Sequence, residues 1–531
     1  MINIVKKLHR LICTRYPGIP AVHPHVFDSL KEEAPSDAGS RNGTLAIQLV
    51  QDRLYFLLFG ALGWKLRAHG INRIDTLAVN SINGAVGTTW RARLMRSAPL
   101  TKLLVDRWLR AFGDTVDGIA YRSATWRHPL SDMLDWIRAR HHWVRVKACP
   151  DIAFYAIDGI QIGDLIIDSY LRFRPAPAFN PADPFVLKLL WQALRDIRMS
   201  TRYFRRTRPR LYLTSYSTYL EHGIPVRAAL KHGIDVWSFG NLNTFGKQLT
   251  LEDGYHTRNT SDYRRIFDAL DNQAEWLDAA RVQLKTRLSG GIDAATSYMK
   301  KSAYAANAST PLPEGLDGAV IVFLHDFYDS PHIYADLVFD DFWQWICFTI
   351  DTLQQAGTTF FLKPHPNQIA LSDSALDLLK KKYLNLRWLD SGISNTSLAK
   401  AGIACGVTVY GTVAHELAYL GVPSIGCARH PHHAFDFCRT ARNRDEYRGF
   451  LQSPSLRPVA DEEMRRQALA FYYMHNLYGT DSERQLQRAF VDLWSLCNAA
   501  QSGEDEILAN FGKFAALPGF EQFVENLLEQ Q

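Results

Sequence analysis

Apolar and polar positions along the chain alternate between helical and strand-like spacing, and this rhythm predicts two doubly wound α/β units joined by a hinge. Residues 17–45 are rich in Pro, Gly, Ser and charge and read as a linker behind an N-terminal segment, 1–45 in all. The first unit spans 46–310. Within it, 45–70 (LAIQLVQDRLYFLLFGALGWKLRAHG) reads as a helix and 74–80 (IDTLAVN) as a strand. Helices are expected over 97–113, 186–207 and 224–233, and strands over 210–216 and 234–240. Residues 287–315 break the rhythm and end in a Pro/Gly cluster, which places the hinge there. The second unit, 311–480, opens with the buried strand GAVIVFL at 318–324. It continues with a helix over 338–356, a strand over 358–363, a helix over 372–383 and strands over 386–390 and 403–411. A helix over 412–420 and a strand over 422–426 complete it. The tail, 481–531, reads as helices crossing back to the first unit. The fold class expected is therefore α/β, with two Rossmann-like domains facing a cleft.

Composition narrows the class. The chain has 531 residues, 47% apolar and 21% charged, with a net charge of +6. Such a length exceeds one ordinary core. Seven scattered cysteines without a CxxC pair read as reduced, buried thiols of a cytoplasmic protein, with neither a disulfide frame nor a zinc site. No apolar run is long enough to span a bilayer. At the N-terminus, Ile2, Val5, Leu8 and Ile12 recur at helical spacing opposite Lys6, Lys7 and Arg10. That helix either packs on the protein or lies peripherally on the inner face of an inner membrane. Arg195, Arg198, Arg202, Arg205, Arg206, Arg208 and Arg210 form a basic run that faces a phospholipid surface or acidic glycan, or is a solvated helix face. No nucleic-acid-binding module surrounds it, so nucleic acid is not an expected partner.

In open α/β sheets ligands sit beyond the carboxyl ends of the strands, so the loops following strands hold the candidate chemistry. His325, Asp326, Asp329 and His332 follow 318–324; Lys363, His365, Pro366 and Asn367 follow 358–363; Arg429, His430, His432 and His433 follow 422–426; and Tyr410, Gly411 and Thr412 follow 403–411. The last turn feeds a helix, and a helix start favours anions through its free N–H groups and dipole. Glu416, four residues past Thr412, shares a helix face with it and is placed for ribose hydroxyls. Together these residues read as a nucleotide-sugar site. In the first unit, Ser215, Ser217, His222 and Arg227 follow the strand 210–216 and are candidates for the acceptor side of the cleft. Asp164 and Asp168, four apart, read as decoration of a helix face.

The run KPHP at 363–366, followed by YGTVAHELAYLGVPSI from Tyr410, resembles bacterial capsule and lipopolysaccharide glycosyltransferases of the GT-B fold. The segment from Val322 to Leu353 is similar to the opening of the second domain in capsule-biosynthesis proteins. The resemblance implies that His365, Pro366, Gly411, Thr412 and Glu416 hold the donor nucleotide. Glu252-Asp253-Gly254 resembles the acidic motif of bacterial sialyltransferases and related enzymes that use CMP-activated sugars. It implies that Asp253 is the general base, supported by Glu252, with His256 and the His325/Asp326 pair as rivals.

The expected function is an inverting, metal-independent transfer from a nucleotide-sugar to a hydroxyl of a glycan or lipid-linked glycan, with no cofactor beyond the donor itself. A CMP-activated acidic sugar such as Kdo or sialic acid is favoured, and a UDP- or GDP-sugar is expected if the acidic motif is only a turn. Alternatives are a nucleotide-sugar 2-epimerase of the same fold, a polyol-phosphate transferase, or a non-catalytic polysaccharide-binding or assembly protein.

Overall fold

Parallel strands covered on both faces are mostly apolar, and central strands of the two sheets, such as Leu211–Thr214 and Val320–Phe323, are such runs. The computed structural model describes residues 26–27, 30, 43–50, 52–78, 107–122, 129–174, 176–296, 311–365, 370–499 and 502–529. The amphipathic N-terminal segment, Pro366 and Asn367 lie outside the described residues. In chain order the first sheet contains β1 (Gly43–Gln48), β2 (Ile71–Ala78) and β3 (Gly118–Arg122); a small antiparallel hairpin, β4 (Ala156–Ile157) and β5 (Ile160–Gln161), stands apart. The sheet is completed by β6 (Leu211–Thr214), β7 (Asp235–Ser238) and β8 (Lys247–Leu249), in the order β3-β2-β1-β6-β7-β8. All its pairings are parallel except β7 with β8.

The second sheet holds β9 (Val320–Phe323), β10 (Phe360–Lys363), β11 (Cys405–Val407), β12 (Ser424–Gly426) and β13 (Cys438–Thr440), all parallel, in the order β10-β9-β11-β12-β13. A single parallel bridge from Trp388 to Leu362 extends it beyond β10. In both sheets the chain winds outward from its first strand, then returns to the other side of it. The winding therefore reverses between β1 and β6 and again between β9 and β11, and such reversals are where α/β proteins open a crevice. The expected pair of doubly wound sheets is what the chain forms.

Alternation along the strands sorts side chains to opposite faces. Leu45 and Ile47 join the core beneath the helix Arg53–Ala68, whereas Ala46 joins the core under the helices Gly163–Phe173 and Pro184–Thr207. The helices Asp481–Asn498, Glu504–Ala515 and Pro518–Glu529 pack into the first of these cores. Phe245 is their hub, with ring centroids 5.4 Å from Phe490, 5.5 Å from Phe514 and 4.8 Å from Phe523. Among the described residues no helix is long and apolar enough to cross a membrane.

Several local expectations change. Residues 45–48 belong to β1, not to a helix beginning at 45. A central strand and a buried helix are both continuously apolar, so period does not separate them. The break lies at Asp52, whose carboxylate accepts from Leu54 N–H at 2.8 Å and starts the helix there. The segment 386–390 is only a single bridge, β13 was not foreseen, and the helix expected from 338 begins at Phe342. Its cap is Asp341: one carboxylate oxygen accepts from Gln344 N–H at 2.7 Å, the other from Phe179 N–H of the first domain at 2.8 Å. The basic run is partly internal. Arg198 bonds Asp132 and Asp135 at 2.8 and 2.7 Å, Arg195 lies over Trp191, and Arg210 donates to the Leu528 carbonyl. Arg202, Arg205, Arg206 and Arg208 remain exposed.

Truncating Phe245 to Ala removes the hub between sheet and C-terminal helices. A loss of about 3–5 kcal/mol is expected, as for large-to-small core changes, read as a lowered denaturant midpoint.

Candidate functional site

At the reversal of the second sheet, three aromatic side chains from adjacent strand ends meet. His325 follows β9, His365 follows β10 and Tyr410 follows β11. The His325 ring stacks on Phe342 with centroids 4.8 Å apart, lies 6.1 Å from the His365 ring, and meets Tyr410 edge-on at 4.7 Å. Burial pushes the His325 pKa down to about 3, helped by the neighbouring His365, and lowers that of His365 as well. Both are therefore neutral imidazoles at neutral pH. Asp326 beside them accepts from Ser372 Oγ at 2.6 Å and from Tyr328 N–H at 3.0 Å.

Behind this row the polar groups are already engaged. Lys363 is buried and donates to the Ser391 carbonyl at 2.7 Å, and burial brings its pKa down to about 8 against the pull of Glu416 and Asp390. Glu416 is buried too: Asn395 Nδ2 donates to it at 2.6 Å and Arg287 Nε lies 2.7 Å from its other oxygen. It shares the expected helix with Thr412, but its carboxylate is committed to a buried pair. The helix itself is short, Val413–Tyr419, seven residues. Gly411 N–H is spent on Thr408 Oγ1 at 3.1 Å, while Ala414 and His415 N–H close on the Gly411 and Thr412 carbonyls. Fewer donors stay free than at a regular helix start, which narrows the anion site expected there.

In the first domain the reversal between β1 and β6 is closed by a network that sequence reasoning missed at its centre. Gln48, buried at the end of β1, accepts from Thr214 Oγ1 at 2.5 Å, lies 3.0 Å from His222 Nδ1, and donates to the Glu221 carbonyl. Ser215 Oγ lies 3.4 Å from His222 Nδ1. Ser217 Oγ accepts from His256 N–H at 2.9 Å and lies 3.3 Å from His256 Nδ1. His256 is buried against Tyr216, and burial drives its pKa to about 3, which leaves a structural imidazole. Asp253 is bonded to Lys247 at 2.9 Å, and Lys247 also takes the Tyr255 and Thr257 carbonyls. Glu252 is exposed. Arg227 is turned inward onto Asp164 and the Gln161 carbonyl, so its guanidinium is not spread toward a phosphate.

The two domains are pinned at the turn Ser330–Ile333. The Tyr410 hydroxyl donates to the Ser330 carbonyl at 3.2 Å, and Thr257 Oγ1 donates to the Ile333 carbonyl at 2.9 Å. Between them, His332 Nδ1 lies 2.7 Å from Asp168 Oδ1. Asp168 and Asp164 are buried on the helix Gly163–Phe173, not decoration of an exposed face. That helix starts hard against the chain: a Cβ on Gly163 would fall 1.7 Å from the Ile152 carbonyl oxygen, so only glycine fits. Burial raises Asp164's pKa but Arg227 overcomes it and holds the carboxyl low, whereas burial of Asp168 prevails and raises it. Burial alone would lower the His332 pKa; Asp168 and Asp164 reverse that and raise it. Its partner lies 164 residues away, so no spacing rule could have found this pair.

Two sets of side chains could bring metal ligands together among the described residues: His430, His432 and Cys438, all buried, and His69, Glu521 and Glu525. In the first, the two imidazoles stack with centroids 3.5 Å apart, and His430 Nε2 is held by Thr440. Lone pairs lie in the ring plane, so stacked rings aim them side by side and not at a common point. In the second, Glu521 is already paired with Lys65 at 2.6 Å and lies 2.9 Å from His69 Nε2.

No protein-family model matches the chain, and no curated protein is similar to it. Among solved structures, the UDP-GlcNAc 2-epimerase of Methanocaldococcus jannaschii in complex with UDP-GlcNAc and UDP is 10% identical, covering 80% of this chain and 98% of its own, with a TM-score of 0.26. MurG of Acinetobacter baumannii is 11% identical over 86% and 99%, with a TM-score of 0.22. The wall teichoic acid polymerase TagF is 10% identical over 100% and 99%, with a TM-score of 0.19. Likenesses this faint add nothing to the architecture already evident in the strand order.

Buried neutral histidines make the fold acid-sensitive. Burial holds His256, His325, His430 and His475 at about 3 and His415 at about 4, against about 6.5 in an unfolded chain. Below pH 6.5 the unfolded chain binds protons that the folded one refuses, so stability falls as pH drops. Each such group contributes up to about 1.4 kcal/mol per pH unit in that window; the contribution of His332, raised, is fully present below about 6.5 and is lost only as pH rises through its folded value. The melting temperature is expected to hold above about pH 7 and fall steeply toward pH 4.5. A flat profile would mean these rings reach water in the folded state.

Proposed function

We propose that the protein is a glycosyltransferase of the GT-B type, moving a sugar from a nucleotide donor held at the second sheet to a hydroxyl presented by the first. One observation supports this above the others: rings from three adjacent strand ends, His325, His365 and Tyr410, meet at the reversal of one sheet and are tied to the other domain through one turn. Such a crevice is where an open α/β sheet binds its ligand. Neutral imidazole N–H groups suit the leaving phosphate.

The acceptor-side residues are those of the loop Leu251–Thr257, with Ser215, Ser217 and His222 behind it. The resemblance of Glu252-Asp253-Gly254 to the motif of CMP-sugar enzymes favours a CMP-activated acidic sugar, and a surface glycan or lipid-linked glycan as acceptor. Because Asp253 is bonded to Lys247, an acceptor proton has to compete with that ammonium for the same carboxylate.

A thermal-shift panel of CMP, UDP, GDP and CDP tests the reading. A nucleotide at a hundred times its dissociation constant should stabilise the fold by about 2.7 kcal/mol, CMP being the expected one. His365→Ala should abolish the shift and Asp253→Asn should leave it. No shift with any of the four would sink the reading, and a shift with UDP alone would remove the acidic-sugar donor.

A further inference from the structure

We propose that Asp168 and His332 form the proton-accepting pair of this site, with His332 Nε2 as the atom that receives the acceptor's hydroxyl proton and Asp168 as its positioning residue. The inference rests on the nucleotide-sugar reading and adds the catalytic group to it. A carboxylate only accepts, so the 2.7 Å contact with Asp168 Oδ1 places the proton on His332 Nδ1 and leaves the lone pair on Nε2. That Nε2 is buried without a hydrogen-bond partner among the described residues. A buried polar atom left so is destabilising, and a hydroxyl of the substrate is the group that would satisfy it.

Position supports the same assignment. His332 lies two residues after Ser330, which Tyr410 of the donor side grips, and one before Ile333, which Thr257 of the acceptor-side loop grips. The charges around it favour taking a proton. Asp164 and Asp168 face it from the helix Gly163–Phe173, and Asp340 and Asp341 from the start of the helix Phe342–Gln355. Arg227, on the helix Tyr219–Lys231, is spent on Asp164. The other imidazoles nearby, His256 and His325, are held at about 3 by burial.

In the step, the hydroxyl oxygen forms a bond to the anomeric carbon and its proton passes to His332 Nε2. The bond from that carbon to the donor phosphate oxygen breaks, and its electron pair leaves with the nucleotide. Asp168 stabilises the imidazolium until its proton returns to water.

The test uses the full chain and two variants, His332→Gln and Asp168→Asn. Each is assayed for the thermal shift with CMP, UDP, GDP and CDP, then for turnover of the activated sugar bearing the nucleotide that binds, onto glycan or water. Both variants should keep the shift while turnover falls about a hundredfold or more, the usual share of a general base. Wild-type turnover should fall as pH drops through the raised His332 pKa. In Asp168→Asn the residual activity should lose that limb to lower pH, because the carboxylate favouring imidazolium is gone. Turnover in His332→Gln within about threefold of wild type, where a base is worth far more, overturns the proposal, as does a nucleotide-binding wild type that turns over nothing. Should His332→Gln fail to fold, an unshifted pH limb in Asp168→Asn overturns it instead. A wild type that binds none of the nucleotides removes the underlying reading itself.

Discussion

A carboxylate withdrawn from water needs a partner, and Asp168 finds its partner on the other domain. Breaking a buried pair by removing one member typically costs about 3–5 kcal/mol. Asp164 sits one turn earlier on the same buried helix face, so the two acids would repel each other if both stood unneutralised. Arg227 neutralises the first from within the domain, and His332 meets the second from across the seam. Opening the domains would leave Asp168 without its hydrogen-bonded partner, with Arg227 already bonded to Asp164. The closed arrangement is thus an electrostatic requirement of the first domain as much as a product of apolar packing.

That requirement acts at one place because of the strand order. Both sheets reverse their winding beside the first strand, so the loops after β1 and β6, and those after β9 and β11, are driven apart from their neighbours. Gln48 spans one reversal by reaching Thr214 and His222; Tyr410 spans the other by reaching Ser330 and His325. Asp341 adds a further tie, capping the first long helix of the second domain while accepting from Phe179. Small displacements of the turn Ser330–Ile333 are consequently felt on both sides of the cleft.

The architecture was legible because alternating apolar runs and amphipathic helices report burial directly. It failed where burial is uniform, as at residues 45–48, where strand and helix look alike. The site was legible only in part. Strand-end positions announced His325, His365 and Tyr410, since the place of a strand's end follows from the chain alone. Which way a side chain turns does not. Asp164 and Asp168 show a spacing of four, which fixes that they share a face but not that the face is inward. Glu416 looked free to bind ribose until Arg287, 129 positions earlier (416 − 287), proved to be its partner. The basic run looked like one surface, yet Arg195 and Arg198 turn onto Asp132 and Asp135. Long-range pairs of this kind leave no periodic trace.

The neutrality of the rings at the second sheet bears on how a departing phosphate could be met. Charged groups at the same positions would have to be desolvated before any ligand arrived, at several kcal/mol each. Neutral imidazole N–H groups avoid that cost and still gain most from an anion, because a hydrogen bond with one ionised partner is about twice as strong as a neutral one. Lys363, buried and bonded to the Ser391 carbonyl, is brought down by burial to a pKa of about 8, so it remains largely protonated at neutral pH. The division is therefore between neutral donors that touch and a buried charge that biases from behind. Acidic groups are gathered around His332, where on the proposed reading the acceptor's proton would be taken up. On that reading, donor departure and acceptor activation would be served by opposite electrostatic environments near a single turn.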